Sequence, residues 1–500
     1  MNHAIAQLKE HLAEIGDINT ATAVLGWDQQ TYMPPGGGAQ RAEVMSTLSR
    51  LAHTKFTSDE TARLLDAAAV QAQALPDDSD EACLVRIVRR DYEKSRKLPD
   101  DFVAAQMRDS ILSNEVWRHA RGVNDFAAFL PHLEKMVDYA RRQADFYGYE
   151  AHPYDALLDD YEPELTRDEV RRVFDVLRAE QVPLVKALAS RPQPRTDFLH
   201  RECPEEQQGE FGLRVVADYG YDLGRGRLDV APHPFATSFG RDDVRITTRY
   251  DRRFPQQAIF GIFHEAGHAL YEQNISPSLA RTPLSDGASM VFHESQSRLW
   301  ENIVGRSRAL WEHYFPLFQQ LLPDAFADVT AEEFYRAINR VEPSLIRVEA
   351  DEATYNLHIM LRFDLETALV AGELAAADLP ETWRAGMQEY FGIVPPDDRD
   401  GVMQDTHWSS GSFGYFPTYA LGNVMSAQIY DTAVEAHPEI PEQIGQGQFD
   451  LLRGWLVEHL YQHGRKFLPR ELALRVTGRP LDARPYVAYL KGKFGELYGV

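Results

Sequence analysis

The chain has 500 residues, is 44% hydrophobic and carries a formal net charge of −24. That length and apolar content allow a large buried core, while no apolar run approaches the ~20 residues that a membrane span needs. The acidic balance lacks the basic footprint of a nucleic-acid binder, so neither nucleic acid nor membrane is expected as a partner.

The first stretch of about 195 residues reads as helix after helix. Ala4–Thr20, Ala39–Ala52, Glu60–Ala72, Glu81–Lys94, Asp101–His119, Phe126–Tyr147 and Arg167–Ala189 carry apolar residues at helical spacing. Their breaks are Met33-Pro34-Pro35-Gly36-Gly37-Gly38, Leu75-Pro76, Leu98-Pro99 and Arg191-Pro192. The start, Met1–Glu10, lacks the basic residues and apolar stretch of a secretory signal. Cys83 and Cys203 stand far apart, so no disulfide framework is indicated, and the expected compartment is the cytoplasm.

Near residue 225 the texture changes. Arg227–Val230 and Val244–Tyr250 alternate and are β-branched, which predicts short strands. The edge of such a sheet either accepts an extended peptide as an added strand or simply covers the core. Helices then resume to the C-terminus and end with Pro485–Leu497. The sequence shows no repeat, low-complexity tract or Gly/Ser linker. The expectation is a single mainly helical domain over 1–500, with a metal-site core at about 225–430 and C-terminal helices from 431 to 500.

The most informative string is His264-Glu265-Ala266-Gly267-His268. On a helix, residues four apart share a face, so both imidazoles can grip one zinc ion at about 2.0–2.1 Å. Glu265 lies roughly 100° round, within reach of a water as general base. Ala258, Ile259, Ile262, Phe263, Ala266, Ala269 and Leu270 supply the apolar face of that helix. Catalytic zinc usually keeps three protein ligands. A helix over Ala288–Asn302 offers His293 or Glu294, and spacing does not choose between them. Tyr271 and Asn274 stand where the metzincin pattern needs Gly and His, which excludes that pattern.

Several motifs in fixed order carry a family resemblance: His233-Pro234-Phe235, Asp243-x-Arg245-x-Thr247, the string above, His293-Glu294-Ser295, Ile346-Arg347-x-x-Ala350-Asp351 and Gly401-x-x-Gln404-Asp405-x-His407-Trp408. With Trp27–Pro35, they resemble the carboxypeptidase Taq family, peptidase family M32, over essentially the whole length. The resemblance implies a zinc-dependent metallocarboxypeptidase, with cobalt as an alternative metal and one ion per chain. It implies a helical, saddle-like fold with a deep central groove, often as a homodimer, and gives the third ligand place to Glu294. His407 and Tyr419 become the expected oxyanion donors by analogy with related zinc peptidases, and Tyr415 is expected either to replace Tyr419 or to bind substrate. Arg347 becomes the expected anchor for a substrate carboxylate, since a guanidinium binds carboxylate in bidentate fashion. Arg245 and Gln404 are further substrate-binding candidates, and Gln404 and Asp405 are expected to orient His407. The expected partners are peptides with free C-termini, cleaved with broad specificity. The alternatives are an endo-acting zinc oligopeptidase and, more distantly, a helical binding protein stabilised by structural zinc.

Overall fold

The computed structural model describes residues 3–499. Its elements named below are α1 (His3–Thr31), α2 (Gly38–Phe56), β1 (Leu228–Val230), β2 (Ala236–Ser238), β3 (Val244–Thr248), α3 (Pro255–Gln273), α4 (Met290–Arg298), α5 (Tyr355–Ala371) and α6 (Pro417–Ala436). Among the described residues the fold is mainly helical, and the one sheet has the order β1-β3-β2. β1 runs parallel to β3, with Leu228 opposite Ile246, and β2 runs antiparallel to it, with Ala236 opposite Ile246. β2 therefore lies at the sheet edge, and its three residues were not predicted as a strand. One continuous buried apolar cluster reaches from Ile5 near the start to Phe494 near the end.

The predicted helices are present, Phe126–Tyr147 and Arg167–Ala189 with the predicted ends, and the largest shift is in α1. Its predicted end at Thr20 gives way to a helix that continues to Thr31. Arg41 of α2 holds that extension by donating to the Leu25 carbonyl and to Asp28, both at 2.6 Å. Tertiary support thus overrides the weak propensity of Ala21–Gly26.

α3 starts with a proline at its first position, where the missing N–H costs nothing. Ala258, Ile259, Ile262, Phe263, Ala266, Ala269 and Leu270 are all fully buried, each larger side chain contributing about 1.5–3 kcal/mol. α4 is capped by Ser289, whose side chain accepts from Phe292 N, and by buried Glu162, which accepts from Val291 N. Its last turn passes into a π-helical segment at Leu299–Val304.

α4 lies between α3 and α6, and two glycines set how closely they approach. A Cβ at Gly267 would stand 2.5 Å from the Gln296 carbonyl oxygen and 2.6 Å from Ser297 Cα. A Cβ at Gly422 of α6 would stand 2.6 Å from Glu294 Cγ. Both backbones touch α4 because no side chain intervenes.

A groove of about 1270 Å³ runs over these helices. α1 and α2 form one wall, Phe235–Gly240 with edge strand β2 forms the other, and α3, α4 and α6 make the floor. The α1 wall is fastened to the sheet: Arg245 of β3 sits 4.2 Å from the Trp27 ring, and Tyr32 donates to buried Asp229. No helix among the described residues is long and apolar enough to cross a membrane.

Candidate metal centre and active site

His264 and His268 rise from α3 one turn apart, and Glu294 faces them from α4. Glu294 Oε2 lies 3.7 Å from His264 Nε2 and 3.5 Å from His268 Nε2. Each of the three offers a donor atom, all within 4.8 Å of one another. Donors at about 2.0–2.1 Å from a tetrahedral ion stand roughly 3.3 Å apart, so the spacing fits zinc-type coordination. No hydrogen bond links the three, and neighbouring side chains hold His264 and Glu294 in place. His264 Nδ1 donates to Glu301 Oε2 at 2.9 Å. Arg298 Nε donates to Glu294 Oε1 at 2.7 Å, and Ser297 Oγ donates to Oε2 at 3.0 Å. Arg298 and Arg306 in turn flank Glu301.

The electrostatics of the cluster call for a cation. Burial works against a charge on His264, yet Glu294, Glu301 and Glu265 together lift its pKa to about 9. Burial also opposes the Glu301 charge, but Arg298, His264 and Arg306 hold it down to about 2. His268 is pushed well below the usual imidazole range, by burial and then by His293 and His264. One neutral imidazole, one imidazole that attracts positive charge and one carboxylate form a donor set suited to a divalent metal. His293, the other ligand left open by spacing, turns away from this point and meets His268 Nδ1 at 2.7 Å.

Glu265 projects into the groove beside the trio. It is 5% exposed, and burial, followed by the neighbouring Glu294 and Glu301, raises its pKa to about 7. A carboxyl that titrates near neutrality can both take and return a proton.

Tyr415, Thr418 and Tyr419 line the groove at the start of α6. Tyr419 OH lies 3.4 Å from His407 Nε2, and the Tyr415 ring stacks 5.6 Å from the His407 ring. Burial, partly offset by Asp405, lowers the His407 pKa to about 4, so this imidazole is neutral. The loop before α6 hangs on Glu366 of α5, which accepts from Trp408 Nε1, Gly414 N and the Tyr154 hydroxyl. The structure thus brings His407, Tyr415 and Tyr419 together, with the two tyrosines lining the groove.

Four residues expected from the sequence to serve the substrate or His407 are engaged within the fold. Arg347 is 6% exposed, and its guanidinium is already engaged: Nε and Nη2 donate to Asp405 Oδ1 at 3.0 and 2.9 Å, and Nη1 donates to Tyr355 at 2.9 Å. It packs behind the Tyr419 ring, 5.0 Å away, instead of offering an open fork to the groove. Arg245 pairs with Asp243 at 2.8 Å between the Trp27 and Phe239 rings, so it ties wall to sheet. Gln404 is used entirely within the fold, accepting from Arg347 N and Arg362 and donating to the carbonyls of Leu345, Asp400 and Gly401. Nor does Asp405 hold His407: it is clamped by Arg347 and Arg362, and His407 Nδ1 is buried without a partner.

Sequence reasoning missed Arg298, Glu301, Tyr355 and Arg362. Arg298 follows Glu294 by four, a spacing that pairs charges on a helix. Glu301 owes its place to the π-helical segment, which leaves no simple sequence signal.

Residues 7–494 match the carboxypeptidase Taq (M32) metallopeptidase family. The chain is 40% identical to carboxypeptidase 1 of Bacillus subtilis over 97% of both chains. It is 41% identical to thermostable carboxypeptidase 1 of Thermus thermophilus over 99% of both. The crystal structure of an M32 carboxypeptidase from Deinococcus radiodurans R1 superposes with a TM-score of 0.97 at 44% identity, covering 100% of each chain. Fold, metal-ready cluster and full-length similarity agree: this chain belongs to the carboxypeptidase Taq (M32) metallopeptidase family and is a metallocarboxypeptidase.

Proposed function

We propose that this enzyme uses one zinc ion, with cobalt as a competent substitute, to remove C-terminal residues from peptides with broad specificity. His264, His268 and Glu294 would hold the ion. When bound, it would polarise the scissile carbonyl and lower the pKa of a water toward ~7. The observation that carries this reading is the convergence of three donor atoms that make no hydrogen bond to one another, beside the groove-facing carboxylate of Glu265.

The residues of the chain do the rest. Glu265 takes the proton of the attacking water and returns it to the leaving amine. Tyr419, with Tyr415 beside it, donates a hydrogen bond to the oxyanion, while neutral His407 Nε2 keeps the Tyr419 hydroxyl in place. The edge of β2, whose paired side faces β3, supports an extended substrate through its backbone. Selection for a free carboxylate falls to the charge surplus of Arg347 and Arg362 over Asp405, both arginines being buried behind Tyr419. That assigns Arg347 a field effect instead of the bidentate contact the motif suggests. The sequence marks out no acidic or basic side-chain pocket, which makes broad specificity the default.

One unblocked peptide and its C-terminal amide, followed by mass with and without chelator, test the proposal. Stepwise shortening of the free acid alone, stopped by chelator, is the expected result. Internal cuts in both peptides would reassign the enzyme as an endo-acting oligopeptidase. Equal losses on acid and amide in Arg347→Ala would remove that arginine from carboxylate selection.

A further inference from the structure

His264, His268 and Glu272 follow one another at four-residue steps along α3, which puts all three on one helix face. Glu272 is 7% exposed and reaches the metal site only through a second helix. His268 Nδ1 lies 2.7 Å from His293 Nδ1, and His293 Nε2 lies 2.8 Å from Glu272 Oε1. Two ring nitrogens this close share a single proton. His268 points Nε2 at the ligand cluster, so as a neutral ligand it carries its proton on Nδ1, and His293 accepts. The proton of His293 then sits on Nε2, where Glu272 accepts it. With His268 Nε2 reserved for the ion, this tautomer pattern leaves both hydrogen bonds in the chain satisfied.

The His293 ring is not free to turn out of this arrangement. A Cβ at Gly287 would stand 2.4 Å from His293 Cδ2, and the Tyr271 ring packs 5.3 Å from the imidazole. The chain of contacts runs from α3 to α4 and back to α3, so the two helices that supply metal ligands also fix their protonation.

Resting on the assignment of His264, His268 and Glu294 as ligands, we infer that Glu272 is a positioning residue for the metal. Acting through His293, it holds His268 as the Nδ1–H tautomer and keeps the Nε2 lone pair aimed at the ion. A ligand histidine is commonly oriented by a carboxylate, and losing that partner costs about 10–100-fold in metal affinity. Glu301 does this for His264 directly; Glu272 does it at one remove. Asp286 also lies near Glu272 and His293, and the three together have the spacing of a cation site. The hydrogen bond from His293 to Glu272 occupies the nitrogen that such an ion would require.

The test is metal affinity of the full chain, measured by chelator competition, with the visible absorption band of the cobalt form as a second readout. Glu272→Ala and His293→Phe should each weaken binding about 10–100-fold and shift the cobalt band. Glu272→Gln, which still accepts from Nε2–H, should fall between Glu272→Ala and wild type. It also keeps the test open if the alanine variant fails to fold. Adding Glu272→Ala to His293→Phe should bring no further loss, and Asp286→Asn should leave affinity unchanged. Wild-type affinity in Glu272→Ala, or losses that simply add in the double variant, would overturn the relay. So would a second metal equivalent in wild type that disappears in both Glu272→Ala and Asp286→Asn. Glu294→Ala separates the two levels: if it binds metal like wild type, the ligand assignment itself fails; if it loses metal while Glu272→Ala does not, only the relay fails.

Discussion

Replacing Gly267 by alanine should break the metal site without touching a ligand. The new Cβ would lie 2.5 Å from Gln296 O, 2.6 Å from Ser297 Cα and 2.9 Å from Gln296 C. Non-bonded carbons prefer about 3.5 Å or more, so α3 and α4 must part by about 1 Å there. All three contacts are backbone atoms, and no rotamer change can relieve them. Such overpacking costs about 1–3 kcal/mol of stability. The effect on metal should be larger still. Coordination distances tolerate about ±0.2 Å, and Glu294 sits only two residues from the point of contact. Disturbing a ligand's partner already costs about 10–100-fold in affinity, so displacing the ligand should exceed that. Chelator competition and the melting temperature of the metal-free protein are the assays. Gly454→Ala is the control, a helical glycine with nothing within 4 Å of its added Cβ. A Gly267→Ala protein with wild-type metal affinity and an unchanged melt would refute the close-approach argument.

Glu265→Gln should keep its metal, checked by elemental analysis, and lose about 10²–10⁴-fold in turnover. Tyr419→Phe should cost about 10²–10³-fold in kcat with little change in KM, and Tyr415→Phe less; the reverse order would make Tyr415 the oxyanion donor. Glu366 gives a stability test with a definite sign. Burial, against the donors Tyr154, Trp408 and Gly414, raises its folded pKa from 4.5 to about 7. The folded state therefore binds this proton more tightly, so the stabilisation is full below pH 4.5 and is lost as pH rises through 7. At about 1.4 kcal/mol per unit, wild type should lose up to about 3 kcal/mol of stability relative to Glu366→Gln between pH 4 and pH 8. Denaturation curves across that range would contradict the reasoning if wild type gained stability relative to Glu366→Gln as pH rose.

What the sequence made legible follows from how local each signal is. The two histidines and Glu265 declare themselves because helical periodicity alone aligns them. β1 and β3 were visible in their β-branched alternation, whereas β2, Ala236-Thr237-Ser238, is a strand only because β3 lies beside it. The Ile346–Asp351 and Gly401–Trp408 motifs were found, but not that they spend their polar groups on each other. Arg347, Arg362, Gln404 and Asp405 close a buried network across residues far apart in the chain, which no spacing rule reveals. Glu301 was hidden for another reason: the widened turn that carries it changes the helical period on which the reading depends.

The wall built by α1 and α2 has a consequence for how such an enzyme can change. Every residue assigned to bond cleavage lies between His264 and Tyr419, whereas that wall comes from residues 3–56 and joins the sheet through Trp27 and Tyr32. Mutational drift in the first two helices can therefore re-tailor which peptides gain entry while the rate of bond breaking stays untouched. Part of the selection for appetite can thus act on a stretch of chain apart from the one that breaks the bond.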